Sequence, residues 1–319
     1  MTRYVLRRLG LLLLTLLVAS ALIFALTSVL PGNVGRIILG PFASAKAVAN
    51  LNHQLGLDQP VWERYGEWLW GIVRGDWGKS LALEVPILPL VATRLLRSLG
   101  LALFSLVLLV PTALAAGVVA ARRQGGLFDR LVSVVGLAIG AIPEFVTGVF
   151  LIFIFGLWLK ILPVQALPQG PAGLGAYLLH LLMPAAALTL LLFAYLFRMT
   201  RAGMVEALAA DYTRTAVLKG LPERVVILRH VLRNGVLPTI TVIGAQLGWM
   251  VGGLVVVETL FQYPGIGSLI EYAAVNRDIP LLTGCSLVIT FVFACSNLIA
   301  DLVYAALNPR VRHALGERA

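Results

Sequence analysis

Residues 98–121 read SLGLALFSLVLLVPTALAAGVVAA, a run of 24 without one charged side chain. A helix crossing a hydrocarbon core of about 30 Å needs about 20 apolar residues. This run meets that length with residues to spare. Working outward from it, runs of the same kind occupy 9–30, 133–158, 177–197, 236–257 and 281–305. Hydrophobic residues make up 59% of the chain and charged ones 13%, against roughly a quarter charged in soluble domains. The expected fold is an all-α polytopic membrane protein with six transmembrane helices.

The charges sort by loop. The net charge of +10 would fit a nucleic-acid binder if it were gathered on one soluble face, but it is not. Arg3, Arg7 and Arg8 precede the first run, Arg122, Arg123 and Arg130 follow the second, and seven basic residues from Arg198 to Arg233 follow the fourth. Arg310, Arg312 and Arg318 close the tail. The two shorter loops of the opposite side hold only Lys160 and Arg277, and the long loop 31–97 counts weakly in this bias. Both termini are therefore expected in the cytoplasm, and nucleic acid is excluded as a partner. The first run follows an arginine pair and contains ASA at 19–21, as a cleaved signal would. It continues to Leu30, the length of a span, and reads as an uncleaved anchor.

The chain divides into the first helix with its cytoplasmic end (1–30), an outside loop region (31–97), a core of five further helices (98–305) and a tail (306–319). The outside loop ends in RGDWGKS at 74–80, which resembles the close of a phosphate-binding loop. That motif requires a glycine five residues before Gly78, and Val73 stands there. Nucleotide binding is excluded at this stretch. Four of six tryptophans lie in the same loop, and PVWERYGEWLWGIV (60–73) reads as a helix on the outer surface. Headgroup anchoring and docking of a soluble partner both fit it.

The segment 201–238, RAGMVEALAADYTRTAVLKGLPERVVILRHVLRNGVLP, lies in the cytoplasmic loop 198–235. Asp211 is expected to cap a short helix over Tyr212–Lys219, with Lys219 at its negative end. Gly220 is expected to end the helix in the left-handed conformation, and Pro222 to open the next. The result is a projecting knob on a glycine elbow.

No catalytic or metal constellation is present in the sequence. His53, His180, His230 and His313 are scattered, and neither an H-E-x-x-H nor a G-x-S-x-G sequence occurs. Cys285 and Cys295 read as buried apolar residues, and Asp301 as the partner of a loop arginine. Glu144 follows Pro143 near the middle of the third run. A carboxylate at that depth should face protein or water, either as structural glue or as part of a translocation pathway.

Several stretches together resemble one family: YVLRRLG, LPG at 30–32, LGLDQP at 55–60, RGDWGKS, DYTRTAVLKGL, RHVLRNGVLP, VVETLFQYPGIGSLI and DLVYAALNPRVR. The chain resembles the permease subunit, with a long first outside loop, of bacterial ABC importers of the dipeptide/oligopeptide/nickel class. The resemblance implies the type I ABC importer permease fold in the bacterial inner membrane. It also implies that the chain is no enzyme and binds no cofactor, with ATP and Mg used by partner subunits. The implied partners are a homologous second permease, two ATPase subunits or domains, an extracytoplasmic binding protein and a peptide substrate. The knob coincides with the family's Glu-Ala-Ala loop, so Asp211, Tyr212, Arg214, Thr215, Ala216, Lys219 and Gly220 are implied to couple to the ATPase. Arg214-Thr215-Ala216 stands where Glu-Ala-Ala would, which removes any role for the glutamate. A nickel chelate or another small solute is the alternative cargo. An ion-coupled secondary transporter would need inverted repeats and mid-span acids, and neither is evident.

Overall fold

The computed structural model describes residues 2–29, 42–54, 59–168, 170–171 and 173–307. LPG at 30–32, most of LGLDQP, and the tail from 308, with His313, lie outside these. The described chain is helical, with a single isolated bridge between Lys79 and Pro86. Twelve elements are labelled in order: α1 (Thr2–Val29), α2 (Ala45–Gln54), α3 (Val61–Arg74), α4 (Ile87–Arg122), α5 (Leu127–Gly140) and α6 (Glu144–Leu151), which continues as a π-helix (Ile152–Trp158). Then come α7 (Leu174–Ala209), α8 (Asp211–Leu218), a return segment α9 (223–235), α10 (Leu237–Leu260), α11 (Ile266–Val275) and α12 (Ile279–Leu307).

Among the described residues four helices, α1, α4, α7 and α12, are long and apolar enough to cross a membrane, and the bent pair α5–α6 makes a fifth. The 24 residues of α10 rise about 36 Å, again the length of a span. The six expected runs map onto these elements. Their bounds differ most from the expected ones at three places, one of them α7, which runs on to Ala209 where the fourth run was expected to end at 197. α4 begins at Ile87, inside the segment expected as loop, because Pro86 opens it with extended backbone and Ile87 and Val91 are buried at once. The third run is not one helix, since α5 and α6 meet at 105°. Pro143 has ψ 142° and starts a new helix there.

Packing follows side-chain size. The most extensive contact is α4 on α7, where Leu101, Leu109 and Ala113 meet Leu181, Ala185, Leu188 and Leu192 in the main core. Small residues at such interfaces let backbones approach closely where no hydrophobic drive separates protein from lipid. A second core joins Ile87 and Val91 to Ile266 and Leu269 of α11 and to Leu281 and Cys285 of α12. Cys295, also expected buried, is only half-buried. α1 packs on α12 and leaves Leu13, Leu22 and Leu26 open, as a lipid-facing helix would.

The two ends of the bundle are tied differently. At one end Arg8 pairs with Asp301 at 2.6 Å, Arg122 with Glu223 at 2.6 Å and Arg201 with Asp129 at 2.5 Å. The Asp301 partner therefore comes from α1, not from a loop. At the opposite end Asp278 is buried and accepts from Ser80 Oγ, from the Ala82 amide at 3.0 Å and from the Leu281 amide at 3.2 Å. Ser80 of RGDWGKS thus ties the outer loop to the start of α12, a structural use for that stretch.

Candidate functional site

The elbow between α7 and α10 is built by stopping a long helix without letting the chain wander. α7 runs 36 residues, about 54 Å, well beyond any bilayer core. It stops at Ala209, and the single extended residue Ala210 (φ −71°, ψ 149°) turns the chain into α8. Asp211 is not the cap expected of it: Ala210 holds that position, and Asp211 is the first helical residue. Its carboxylate still lies in the first turn, where the helix dipole favours negative charge. The capping is done from the other direction, by Thr213 Oγ1 donating to the Ala207 carbonyl at 2.7 Å. Thr213 therefore seals the end of α7 while belonging to α8.

At the far end of α8 the expected geometry is present. Lys219 follows the last helical residue, and Gly220 has φ +74°. The Gly220 amide donates to the Val217 carbonyl at 2.9 Å, and the Leu221 amide reaches the Ala216 carbonyl at 3.4 Å. These bonds satisfy carbonyls that the helix end leaves free. Pro222 then has extended backbone and precedes Glu223–Val225. The return segment passes through a π-helical stretch, Val226–Val231, into Leu232–Gly235.

α8 has two unlike faces. Thr213 and Ala216 are buried, three residues apart and so on one side. Ala216 packs in a cluster with Ala121 of α4, Met204 and Ala207 of α7, and Val226 and Val231 of α9. Asp211, Tyr212, Arg214, Thr215 and Lys219 all face outward. Leu218 is 79% exposed and Val217 59%, an apolar tip at the polar end of the bundle. Six of the seven residues singled out in the sequence are thus on the open side, and Ala216 is the exception.

The base of the elbow is tightly made. A β-carbon on Gly203 would collide with the Gly235 carbonyl, so the two glycines let α7 and α9 cross in backbone contact. Thr200 and Thr239 meet beside the crossing at 3.2 Å. Arg201 binds Asp129 through two nitrogens, at 2.5 and 2.7 Å, and Asp129 also accepts from the Gly125 amide at 2.9 Å. Asp129 is nearly inaccessible, so losing Arg201 would leave a buried charge, a change that costs about 3–5 kcal/mol. The exposed Arg122–Glu223 pair contributes far less. These contacts join α8 to α4 and α7, and α7 in turn to α5.

Glu144 stands apart from this elbow. It opens α6 at the break and is half-buried. Gly140, four residues before it, lies against Ala194 of α7, and Gly148, four residues after it, lies against Leu260 of α10. A second acid, Glu258, was not read from the sequence, although it stands alone near the end of the fifth apolar run. It is fully buried, and accepts from Ser98 Oγ and from the amides of Gly267 at 2.7 Å and Ser268 at 3.1 Å. Ser98 Oγ in turn accepts from the Ile266 amide at 2.8 Å. This cluster clamps the first turn of α11 onto α4 and α10.

Residues 113–313 match the family described as binding-protein-dependent transport system inner membrane component, and residues 1–89 match the N-terminal family of the same transport systems. The probable peptide ABC transporter permease protein y4tP of Sinorhizobium fredii is 35% identical over 97% of this chain and 99% of its own length. The glutathione transport system permease protein GsiC of Escherichia coli is 36% identical over 98% of this chain and 100% of its own, as is its counterpart in Shigella flexneri. With both parts of the chain matched and the relatives aligned nearly end to end, the chain belongs to the binding-protein-dependent inner membrane components, a permease subunit of an ABC importer and not an enzyme.

Proposed function

We propose that this permease carries peptides across the bacterial inner membrane, driven by ATP that partner ATPase subunits hydrolyse with Mg. The observation that carries this reading is α8, whose apolar tip is exposed at the arginine-rich end while its inner face is fixed to two spans, α4 and α7, and to the return segment α9. An exposed leucine on a short, sharply terminated helix fits a groove on another protein. The arginine-rich end faces the cytoplasm by the charge bias of its loops. ATPase movement pulls on α8, and the rigid crossing at Gly203 and Gly235 passes it to α7, so that the pathway opens alternately to each side. A homologous second permease supplies the other half of the pathway, and an extracytoplasmic binding protein delivers the peptide. Asp211, Tyr212, Arg214, Thr215, Lys219 and Gly220 form the contact face, with Ala216 as its inner anchor.

Peptide is the favoured cargo because the relatives named for a cargo are named for peptide and for glutathione transport. The test is uptake of labelled peptides by the complete complex in proteoliposomes. ATP-dependent uptake is expected, and no uptake of any peptide in a panel of varied length would remove peptides as cargo. The same assay decides the role of Glu144. If Glu144 lines the pathway and attracts a peptide amino group, Glu144→Gln should slow uptake of free-amine peptides several-fold. N-acetylated peptides and basal ATPase activity should be little changed. Equal effects on both peptides, or failure to assemble, would make Glu144 a structural residue.

A further inference from the structure

The amphipathic helix α3 can be placed at a definite depth. Arg8 pairs with Asp301 at one end of the α1–α12 contact, and Thr283 Oγ1 donates to Thr27 Oγ1 at 3.4 Å toward the other. These two points are about 28 Å apart along α1 and about 27 Å along α12. The two helices therefore run side by side across one hydrocarbon thickness of about 30 Å. The far boundary lies at Arg277 and Asp278, where α12 begins. Thr283 is about 6 Å inside that boundary, and Ser20 is about 10 Å deeper along α1 than Thr27.

α3 reaches down to this level. Tyr65 Oη meets Ser20 Oγ at 2.8 Å, about 16 Å inside the boundary. The rings of Tyr65 and Trp68 pack on Phe24 with centroids 5.6 and 5.4 Å away. Phe24 lies about 10 Å inside. One edge of α3 is thus fixed to α1 by Tyr65 and Trp68. The adjoining edge holds Trp62, 74% exposed, and Val73, 71% exposed. It continues the open apolar side of α1, where Leu22 and Leu26 also lack protein cover. Glu63, Glu67 and Arg74 lie roughly a third of a turn around the helix from that edge, and Arg64, nearly opposite it, holds its guanidinium 5.9 Å from the Phe24 ring centroid.

We infer that α3 is sunk into the leaflet farther from the arginine-rich end, with phospholipid as the occupant of its Trp62–Val73 edge. Acyl chains cover that edge, and Glu63, Glu67 and Arg74 face the headgroups. Interfacial amphipathic helices sit about 5–10 Å into the headgroup and acyl boundary; the contact with Phe24 lies at the deep end of that range, and the Tyr65 hydroxyl reaches beyond it. A soluble binding protein cannot reach an edge at that depth. Because α3 leads through Gly75 to Ser80, which bonds Asp278, the buried helix also anchors the start of α12 in the leaflet.

The test uses the complete complex in nanodiscs of phosphatidylethanolamine and phosphatidylglycerol, with Cys285 and Cys295 replaced by serine. Spin labels are placed at Trp62→Cys, Val73→Cys and, as a control on the same helix, Glu67→Cys. All three positions are exposed, so the labels should not disturb folding. Labels at 62 and 73 should be relaxed by oxygen and shielded from a water-soluble nickel chelate, with the ratio inverted at 67. Chelate access at 62 and 73 equal to that at 67 would overturn the inference. So would shielding from both reagents, with or without added binding protein, because it would mean a protein covers the edge.

Discussion

Glu258→Ala should remove most of the folded permease from the membrane. The carboxylate is fully buried and accepts three bonds, from Ser98 and from the Gly267 and Ser268 amides. Truncation strands those donors, at about 1–3 kcal/mol for each buried group left unsatisfied, and opens a cavity besides. The two amides are in the first turn of α11, whose partial positive charge also loses its counterpart. The total approaches the whole stability of an ordinary domain, about 5–15 kcal/mol. Glu258→Gln should be intermediate, since it keeps one acceptor oxygen but turns an NH2 group toward the amide donors. Subunit abundance in membranes and the melting temperature of the purified complex read both variants. A Glu258→Ala complex that melts with the wild type would show that the clamp does not hold α11.

Gly220→Val should leave the permease folded and inserted but abolish ATP-dependent uptake. Gly220 has φ +74°, and no atom lies within 4 Å of where its β-carbon would be. The expected defect therefore comes from backbone conformation and not from crowding. An L-residue pays roughly 1–2 kcal/mol in that region, and a β-branched one more. The chain would relieve the strain by rotating out of the left-handed state. That breaks the Gly220 and Leu221 amide bonds to Val217 and Ala216, and re-aims the Leu218 tip. Gly220→Asn serves as the control, because asparagine tolerates positive φ; it should retain most of the uptake. Equal loss in both variants would point to the side chain instead of the turn. Normal uptake in Gly220→Val would take the elbow out of the mechanism.

The sequence carried the spans and the elbow because both are local. A run such as 98–121 needs no partner to declare its solvent, and Gly220 followed by Pro222 announces a helix stop within three residues. Asp211 was misread by one position because the decisive event is upstream. α7 keeps its helix to Ala209, so the only residue left for the cap is Ala210, and Thr213 reaches back to finish the job. At 133–158 the pattern gave the right amount of apolar chain but not its direction. Pro143 starts a helix there, and hydropathy is blind to a 105° turn. Glu258 was missed for a different reason. Its partner Ser98 is far away in sequence, in another span, and Ser80 and Asp278 are farther apart still. Nothing in a single chain's spacing records such contacts. Arg201 and Asp129 belong to the same group: the charges were visible, but the pairing was not.

If α8 is the cytoplasmic contact for the ATPase subunits, a single cysteine at its tip will report on both its side of the membrane and its cover. In a chain lacking Cys285 and Cys295, Leu218→Cys is to be labelled with a membrane-impermeant maleimide, with Lys79→Cys as the partner site at the opposite end. Both positions are exposed in the subunit. In inverted vesicles stripped of ATPase subunits, Leu218→Cys should label and Lys79→Cys should not, and right-side-out vesicles should give the reverse. Adding back the ATPase subunits should then protect Leu218→Cys. Labelling of Leu218→Cys from the outside, or full labelling with the ATPase bound, would mean that α8 is not where the ATPase subunits dock.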